Sequence, residues 1–244
     1  MKNSLSSLLI CGVMILGAPT TFAAGVGNVN DEERKVDSDV TVTLTPADEG
    51  GEDGGGSTTP EDKNDPDGTT GMKGNLTIDQ VIVFNFAETK ITGESQNVKL
   101  TSPTRQNIQV TDKRGTGAGW KLQVTQSPLT NGKENAELKT LKGAYIDFPV
   151  GTVVRGKGVQ AEATAPVASS ISNKNIIGTP QTLLTAASET DAGMGTWKSY
   201  YNVKTDADPE VAKTEEITLY VPSGNYAGEY SGTLTWQLLD SPTL

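Results

Sequence analysis

Two Trp-x-Leu triplets are the residues of this 244-residue sequence whose types and spacing best suit binding chemistry. Trp120 and Leu122 stand mid-chain, and Trp236 and Leu238 stand near the C-terminus. In a strand, residues two apart share a face, so each Trp would lie beside its Leu while the polar residue between them faces away. Such an indole can stack on a sugar ring or a partner protein, or it can anchor a core. The sequence leaves both readings open.

Three nearby residues are candidates for supporting these triplets. Gly119 immediately precedes the first Trp. Upstream of the second, Tyr230, Gly232 and Leu234 lead to Trp236 at intervals of two residues. We therefore expect Tyr230 and Gly232 to share a strand face with Trp236.

The glycine-rich stretch GTGAG at 115–119 has a superficial likeness to a phosphate-binding loop. It lacks the lysine and the following helix of a P-loop. We expect a tight turn that enters a strand, with glycine supplying positive φ angles. The charged residues just before it, Asp112, Lys113 and Arg114, are interpreted as a solvated turn, with a glycan or partner contact as the alternative.

The sequence lacks most of the side chains that catalytic and metal-binding sites require. The sequence has no His, and its one Cys, Cys11, lies in the N-terminal apolar run. Ser-His-Asp, Cys-His and His- or thiolate-based metal sites are therefore excluded. Carboxylate pairs stay formally open, although Asp206 and Asp208 lie in a segment typical of a surface loop. We expect a protein that is not an enzyme and has no cofactor and no metal.

A calcium loop is the one metal site that deserves comparison. Oxygen-bearing side chains cluster at 62–67, but Pro66 stands where the EF-hand order needs a ligand, and no closing Glu follows. We interpret the cluster as part of a solvated spacer.

Strand-like segments recur along the chain between turns rich in Gly, Pro and Asn. This spacing predicts an all-β protein: an antiparallel sandwich, Ig-like or barrel-like, with few or no helices. A short helix could lie only within 169–190 or 210–214. The predicted strands are 38–45, 76–86, 97–101, 107–111, 120–126, 144–148, 159–164, 181–187, 194–200, 216–221 and 230–239.

The N-terminus has the order of a Sec signal peptide over residues 1–23. Lys2 supplies a positive start, residues 8–17 form an apolar run too short to span a bilayer, and Pro19 precedes a small-residue exit at Ala23. Cys11 lacks the small upstream residue of a lipoprotein cleavage site. We expect a secreted protein at the extracellular cell surface, with no transmembrane anchor and an N-terminal lead at 24–37. The C-terminus carries no sortase-type motif, so retention should be non-covalent.

The negative charge is concentrated in one region. Residues 31–73 contain 13 acidic and 4 basic side chains, whereas residues 74–244 contain 17 and 15. Because the remainder is nearly neutral, nucleic-acid binding is not expected. Residues 46–74 are rich in Gly, Asp, Glu and Pro, which predicts a long flexible acidic loop within a domain spanning 38–244.

Both Trp-x-Leu triplets, with their flanks, resemble a known family. VTDKRGTGAGWKLQVTQ at 110–126 and YSGTLTWQLLDSP at 230–242 are similar to the WxL-domain proteins of low-GC Gram-positive bacteria. The segments TVTLTP and GNLTIDQVIVFNF resemble the start of that domain. The resemblance implies non-covalent attachment to the cell wall through peptidoglycan, and companion surface proteins in a complex linked to adhesion or polysaccharide interaction.

Two other functions stay open at this stage. The tryptophans could build only the core, leaving an outer surface to bind a companion protein without direct glycan binding. The chain could also be a carbohydrate-active enzyme that uses a carboxylate pair.

Overall fold

A computed structural model describes residues 26–30, 35–38, 40, 42–45, 58–102, 105–202 and 214–240. The predicted signal peptide and the first part of the acidic loop lie outside these residues, as do Asp206 and Asp208. The chain divides into two units, 1–44 and 45–244, and each is considered by itself.

The first unit contains one antiparallel strand pair, β1 (Val26–Asn30) and β2 (Lys35–Ser38). The strand predicted at 38–45 is wrong for the described residues that follow Ser38, which lie outside any strand. Val40, Val42 and Leu44 are 89%, 79% and 89% exposed. Alternating apolar residues favour a strand, but a strand also needs a neighbour to accept its hydrogen bonds, and alternation alone does not supply one.

The second unit consists of antiparallel strands in three sheets, which confirms the predicted all-β class. The sheets formed by the described residues do not close into a barrel, and their arrangement is sandwich-like. Among the described residues of this unit, helix is limited to one turn, α1 (Ala136–Lys139), and a 3-10 turn at Lys174–Ile176. The 3-10 turn lies within the predicted segment 169–190, whereas α1 lies outside both segments in which a short helix was expected. The strands are β3 (Leu76–Gln80), β4 (Gln96–Lys99), β5 (Gln106–Asp112), β6 (Trp120–Gln126), β7 (Tyr145–Asp147), β8 (Thr152–Arg155), β9 (Val167–Ala168), β10 (Gln181–Ala186), β11 (Gly195–Tyr201), β12 (Thr218–Val221) and β13 (Leu234–Asp240).

The strand order is β13-β6-β10-β9 in one sheet, β3-β5-β11-β8 in the second and β4-β12-β7 in the third. We call them the motif sheet, the polar-backed sheet and the tyrosine sheet. One hydrophobic cluster takes in inward side chains of all three. Phe148 is fully buried within it, and its ring meets those of Phe84, Tyr201 and Trp236 at centroid distances of 5.6, 6.3 and 6.1 Å.

Some predicted strands differ from those observed. The strand predicted at 76–86 ends at Gln80, because the register with β5 shifts after Ile78 and the Val81 amide instead donates to Gly68 O at 3.0 Å. The strand predicted at 159–164 is wrong, since these residues form turns. β8 and β9 were not predicted; each is short and lies at a sheet edge, where the apolar pattern is weakest.

The second part of the acidic segment, 58–74, differs from the expected solvated spacer. Asn64 is only 5% exposed. Its side-chain amide donates to Asn107 O at 2.8 Å and to Val81 O at 2.9 Å, and its oxygen accepts from Asn107 N at 2.8 Å. The Asn64 side chain thus makes the hydrogen bonds to β5 that a backbone peptide group of β3 would make if that strand continued. Polar hydrogen bonds order this segment, and an apolar pattern would not reveal them.

Candidate functional site

The two Trp-x-Leu triplets lie on neighbouring strands of the motif sheet. β6 and β13 are antiparallel, and Leu122 pairs directly with Leu238. Trp236 pairs with Val124, and Trp120 pairs with Asp240. The two indoles are therefore about four residues apart along the sheet, roughly 13 Å at the usual rise. The sequence predicted that the Trp and the Leu of each triplet lie on one strand face. The structure adds that the two Trp-Leu pairs lie on the same face of neighbouring strands and form one continuous surface.

Trp120 lies in the interior of the second unit. It is 0% exposed, as are Leu122 and Val124 beside it. Its indole Nε1–H donates to the backbone oxygen of Gly193 at 3.2 Å. Gly193 has φ of +70°, and a Cβ there would lie 2.8 Å from Nε1 of Trp120. The indole therefore fills a site shaped around it, and in this fold no polymer outside the protein can reach it.

Trp236 differs from Trp120 because β13 is an edge strand. Among the described residues β13 pairs only with β6, and Leu234, Trp236 and Leu238 are each half-buried. The Trp236 indole packs edge-to-face on Phe148, with an interplanar angle of 90°. It is thus partly core and partly accessible, and the free strand edge beside it leaves backbone groups open to pairing.

The three supporting candidates have separate structural settings. Gly119 has φ of +72°, and a Cβ there would meet Ala186 O at 2.6 Å, so glycine is required where the loop enters β6. Gly115 and Gly117 also have positive φ, which confirms the predicted turn. The expectation that Tyr230 and Gly232 lie on one strand with Trp236 is wrong, because both precede β13, whose first residue is Leu234. Tyr230 packs on the core and donates to Tyr226 O at 2.9 Å, while Gly232 permits close approach of Ser127 and Leu129.

Arg114 and Asp112 form an internal clamp rather than the predicted solvated turn. Their side chains are 12% and 1% exposed, and Arg114 Nη2 lies 2.7 Å from Asp112 Oδ2. The same guanidinium donates to Gly119 O at 2.8 Å and forms an ion pair with Asp240. It thereby joins the end of β5, the entry to β6 and the end of β13. Hydrogen bonding to Asp112 raises the pKa of Arg114 further above its ordinary value.

A second polar cluster covers the outer face of the polar-backed sheet. Lys198 Nζ lies 2.8 Å from Glu61 Oε2 and 3.2 Å from Asp62 Oδ2, and the Tyr200 hydroxyl donates to Asp62. Burial and the bond to Asp62 raise the pKa of Tyr200 to about 12. Burial opposes ionisation of Asp62, but hydrogen bonds from Tyr200 and Lys198 lower its pKa overall. The acidic segment is thus fastened to the sheet by charge.

Beneath that segment lies a buried carboxyl, Asp79, at 0% exposure. It accepts hydrogen bonds from Thr77, Gln109 and Thr111 at 2.7, 2.8 and 2.6 Å. Burial nevertheless raises the pKa of Asp79. These three hydrogen bonds give the buried Asp79 carboxyl a structural role beneath the segment.

The tyrosine sheet presents two aromatic side chains that sequence reasoning missed. Tyr145 on β7 pairs with Tyr220 on β12, and their ring centroids are 5.0 Å apart. The inward residues of the same strands, Ile146 and Leu219, are buried, so the tyrosines lie on the opposite face, where both are half-buried and Tyr145 also touches the margin of the hydrophobic cluster. The alternation in YID and TLYV carries this signal, but only the strand pairing shows that the rings meet.

Within the described residues, no group of His, Cys, Asp and Glu side chains is placed to hold a metal ion. In that same part of the chain, no helix is both long and apolar enough to cross a membrane.

Comparison with known proteins gives one match. No curated protein and no solved structure matches the chain. A family model described as "WxL domain surface cell wall-binding" matches residues 31–242, nearly the whole chain. This agrees with the resemblance carried by the two triplets, and it supports an association with the cell wall at the bacterial surface. The chain belongs to the WxL-domain family of surface cell wall-binding proteins.

Proposed function

We propose that this protein is secreted by a Sec signal peptide at 1–23 and held non-covalently on peptidoglycan by a WxL domain spanning 38–244. The observation that carries the proposal is the family match over 31–242. In this proposal the domain forms part of a surface complex with companion proteins, in adhesion or polysaccharide interaction. The protein acts by binding, without catalysis and without a cofactor.

The architecture supports a binding role. One hydrophobic cluster unites the three sheets, and the clamp between Arg114 and Asp112 fixes the ends of the motif strands. A rigid β-scaffold of this kind leaves its loops and outer sheet faces available to ligands. In this proposal the first triplet serves the scaffold and does not touch the ligand, since Trp120 is fully buried.

The direct test uses purified protein lacking residues 1–23 and sacculi stripped of teichoic acid. We expect the protein to sediment with the sacculi and to be released intact by denaturant without enzymatic digestion of the wall. Protein denatured beforehand by heat is the control for trapping in the pellet. A folded protein that stays entirely in the supernatant would contradict the proposal.

One observation favours a second candidate, a protein-interaction subunit without direct glycan binding. β13 pairs on one side only among the described residues, and seven residues of backbone lie along its free edge. Such an edge can accept a strand from a partner by β-augmentation. Co-purification from surface extracts tests it: a companion protein retained only by the folded domain, with no sedimentation on bare sacculi, selects this candidate.

The absence of catalysis is tested separately. Reducing-sugar release from wall and plant glycans should equal that of a buffer blank. Release above the blank that disappears with a single carboxylate substitution would establish an enzyme instead.

A further inference from the structure

The outer face of the tyrosine sheet is built as two rows of side chains. Register places Asn97, Tyr220 and Tyr145 in one row across the three strands. The second row consists of Lys99, Thr218 and Asp147. The strands between these rows turn Val98, Leu219 and Ile146 inward, and all three are buried. The rows are therefore the solvent side of a sheet whose other side is core.

The two tyrosines form a joint aromatic surface. Their centroid distance of 5.0 Å and interplanar angle of 31° put the rings in contact. Neither phenol hydroxyl has a hydrogen-bond partner among the residues that the structure describes. A tyrosine hydroxyl is ordinarily protonated at neutral pH, so both can donate. Aromatic surface beside unused hydroxyl groups suits a ligand that has C–H faces and hydroxyl edges, as sugars do.

A groove of about 380 Å³ continues the second row. Asp147 is a member of the second row and also lines the groove, and Ser172 Oγ donates a hydrogen bond to its Oδ1 at 2.6 Å. Glu215 and Glu216 line the same groove, and Glu216 is paired with Lys99. The carboxylates outnumber the single ammonium, so the surface repels anionic polymers and accepts neutral ones. This negative charge discriminates between the two main polymers of a Gram-positive wall. Teichoic acids carry phosphate and are repelled, whereas the glycan strand carries none.

We infer that this face, centred on Tyr145 and Tyr220, binds the neutral glycan strand of peptidoglycan, a polymer of N-acetylated amino sugars. The inference rests on the proposed wall binding and names its contact surface. The pyranose faces pack on the two rings, while Asn97, Thr218 and Asp147 bond hydroxyl and acetamido groups. The Trp-x-Leu triplets hold the scaffold from the interior and do not meet the sugar.

The experiment compares three forms of the mature-length protein on sacculi stripped of teichoic acid. The double variant Tyr145→Thr/Tyr220→Thr keeps strand-forming side chains and removes both rings. Tyr226→Thr removes a tyrosine that is 54% exposed and lies outside the two rows, and it is the matched control. We expect the double variant to bind about tenfold more weakly or worse, from the loss of two ring contacts. The control should bind like the unsubstituted protein.

A footprint on the unsubstituted protein does not depend on the folding of any variant. Hydroxyl-radical labelling should fall at Tyr145 and Tyr220 on addition of stripped sacculi, while labelling at Tyr226 stays constant. Equal labelling of the two sheet tyrosines with and without sacculi would overturn the inference.

The outcomes separate the inference from the function on which it rests. Unchanged binding by a folded double variant overturns the tyrosine face and leaves wall binding intact. Binding to native walls that is lost after teichoic acid is stripped overturns the neutral-glycan ligand. No binding to either preparation by the unsubstituted protein refutes the proposed function itself.

Discussion

The motif sheet and the tyrosine sheet each bring aromatic side chains together on antiparallel strands, but their most buried aromatic residues differ in exposure. In the motif sheet, Trp120 is 0% exposed and bonded to a backbone carbonyl. In the tyrosine sheet, Tyr145 and Tyr220 are half-buried on the outer face, and their hydroxyl groups bond none of the residues that the structure describes. The residues that identify a family need not be those that touch its ligand. A motif can mark the side chains without which the scaffold does not form.

The largest expected effect in this comparison is that of Trp120→Ala. Removing a fully buried indole should lower the free energy of unfolding by about 3–5 kcal/mol, because a cavity remains and the Gly193 carbonyl loses its donor. Urea unfolding followed by circular dichroism measures it. A loss below about 1 kcal/mol would show that the indole is not the anchor described here.

Arg114→Met should have the next largest effect. The substitution keeps the length of the side chain but leaves the Asp112 carboxylate, 1% exposed, without its guanidinium. We expect a loss of about 3 kcal/mol from this unpaired buried charge. Lys113→Met beside it is the matched control for loss of one positive charge. Equal unfolding midpoints for the two variants would contradict the clamp.

Trp236→Ala should cost less than Trp120→Ala, about 2 kcal/mol, because its indole is only half-buried on an edge strand. Both variants are compared by the same unfolding experiment. A Trp236 variant less stable than the Trp120 variant would reverse the assignment of the deeper anchor. A stable Trp236 variant that has lost sacculus binding would move the contact surface to the edge of the motif sheet.

The smallest effect concerns the acidic segment on the polar-backed sheet. The folded pKa of Asp62 is below its ordinary value of 3.8. The contribution of Asp62 to the stability of the docked segment is therefore present above about pH 4 and is lost as the pH falls further. Hydrogen-exchange protection of Asn64 and its neighbours should drop over that range. Asp79, whose pKa is raised by burial, acts in the opposite direction. Asp62→Asn should remove the pH response of the segment, and an unchanged response would contradict the ion pair.

The fold was predictable where apolar alternation carries it. The strand at 120–126 was predicted with the bounds that β6 has, because three buried apolar residues, Trp120, Leu122 and Val124, alternate with polar ones along it. Two features escaped prediction for a shared physical reason. Asn64 donates a hydrogen bond to Asn107 O, and Arg114 donates one to Gly119 O. Neither contact produces a periodic pattern of apolar residues in the sequence. The meeting of Tyr145 and Tyr220, 75 residues apart, likewise depends on strand pairing alone.

The central claim is that Trp120 holds the scaffold and the tyrosine face meets the wall. It is tested most directly by binding isotherms on stripped sacculi for Trp120→Phe and Tyr145→Thr/Tyr220→Thr, at a temperature where both are folded. The account predicts that the Trp120 variant has a lower melting temperature and unchanged affinity, while the tyrosine variant is folded at the assay temperature and binds about tenfold more weakly. A folded Trp120 variant with lost affinity, beside a tyrosine variant that binds normally, would contradict it.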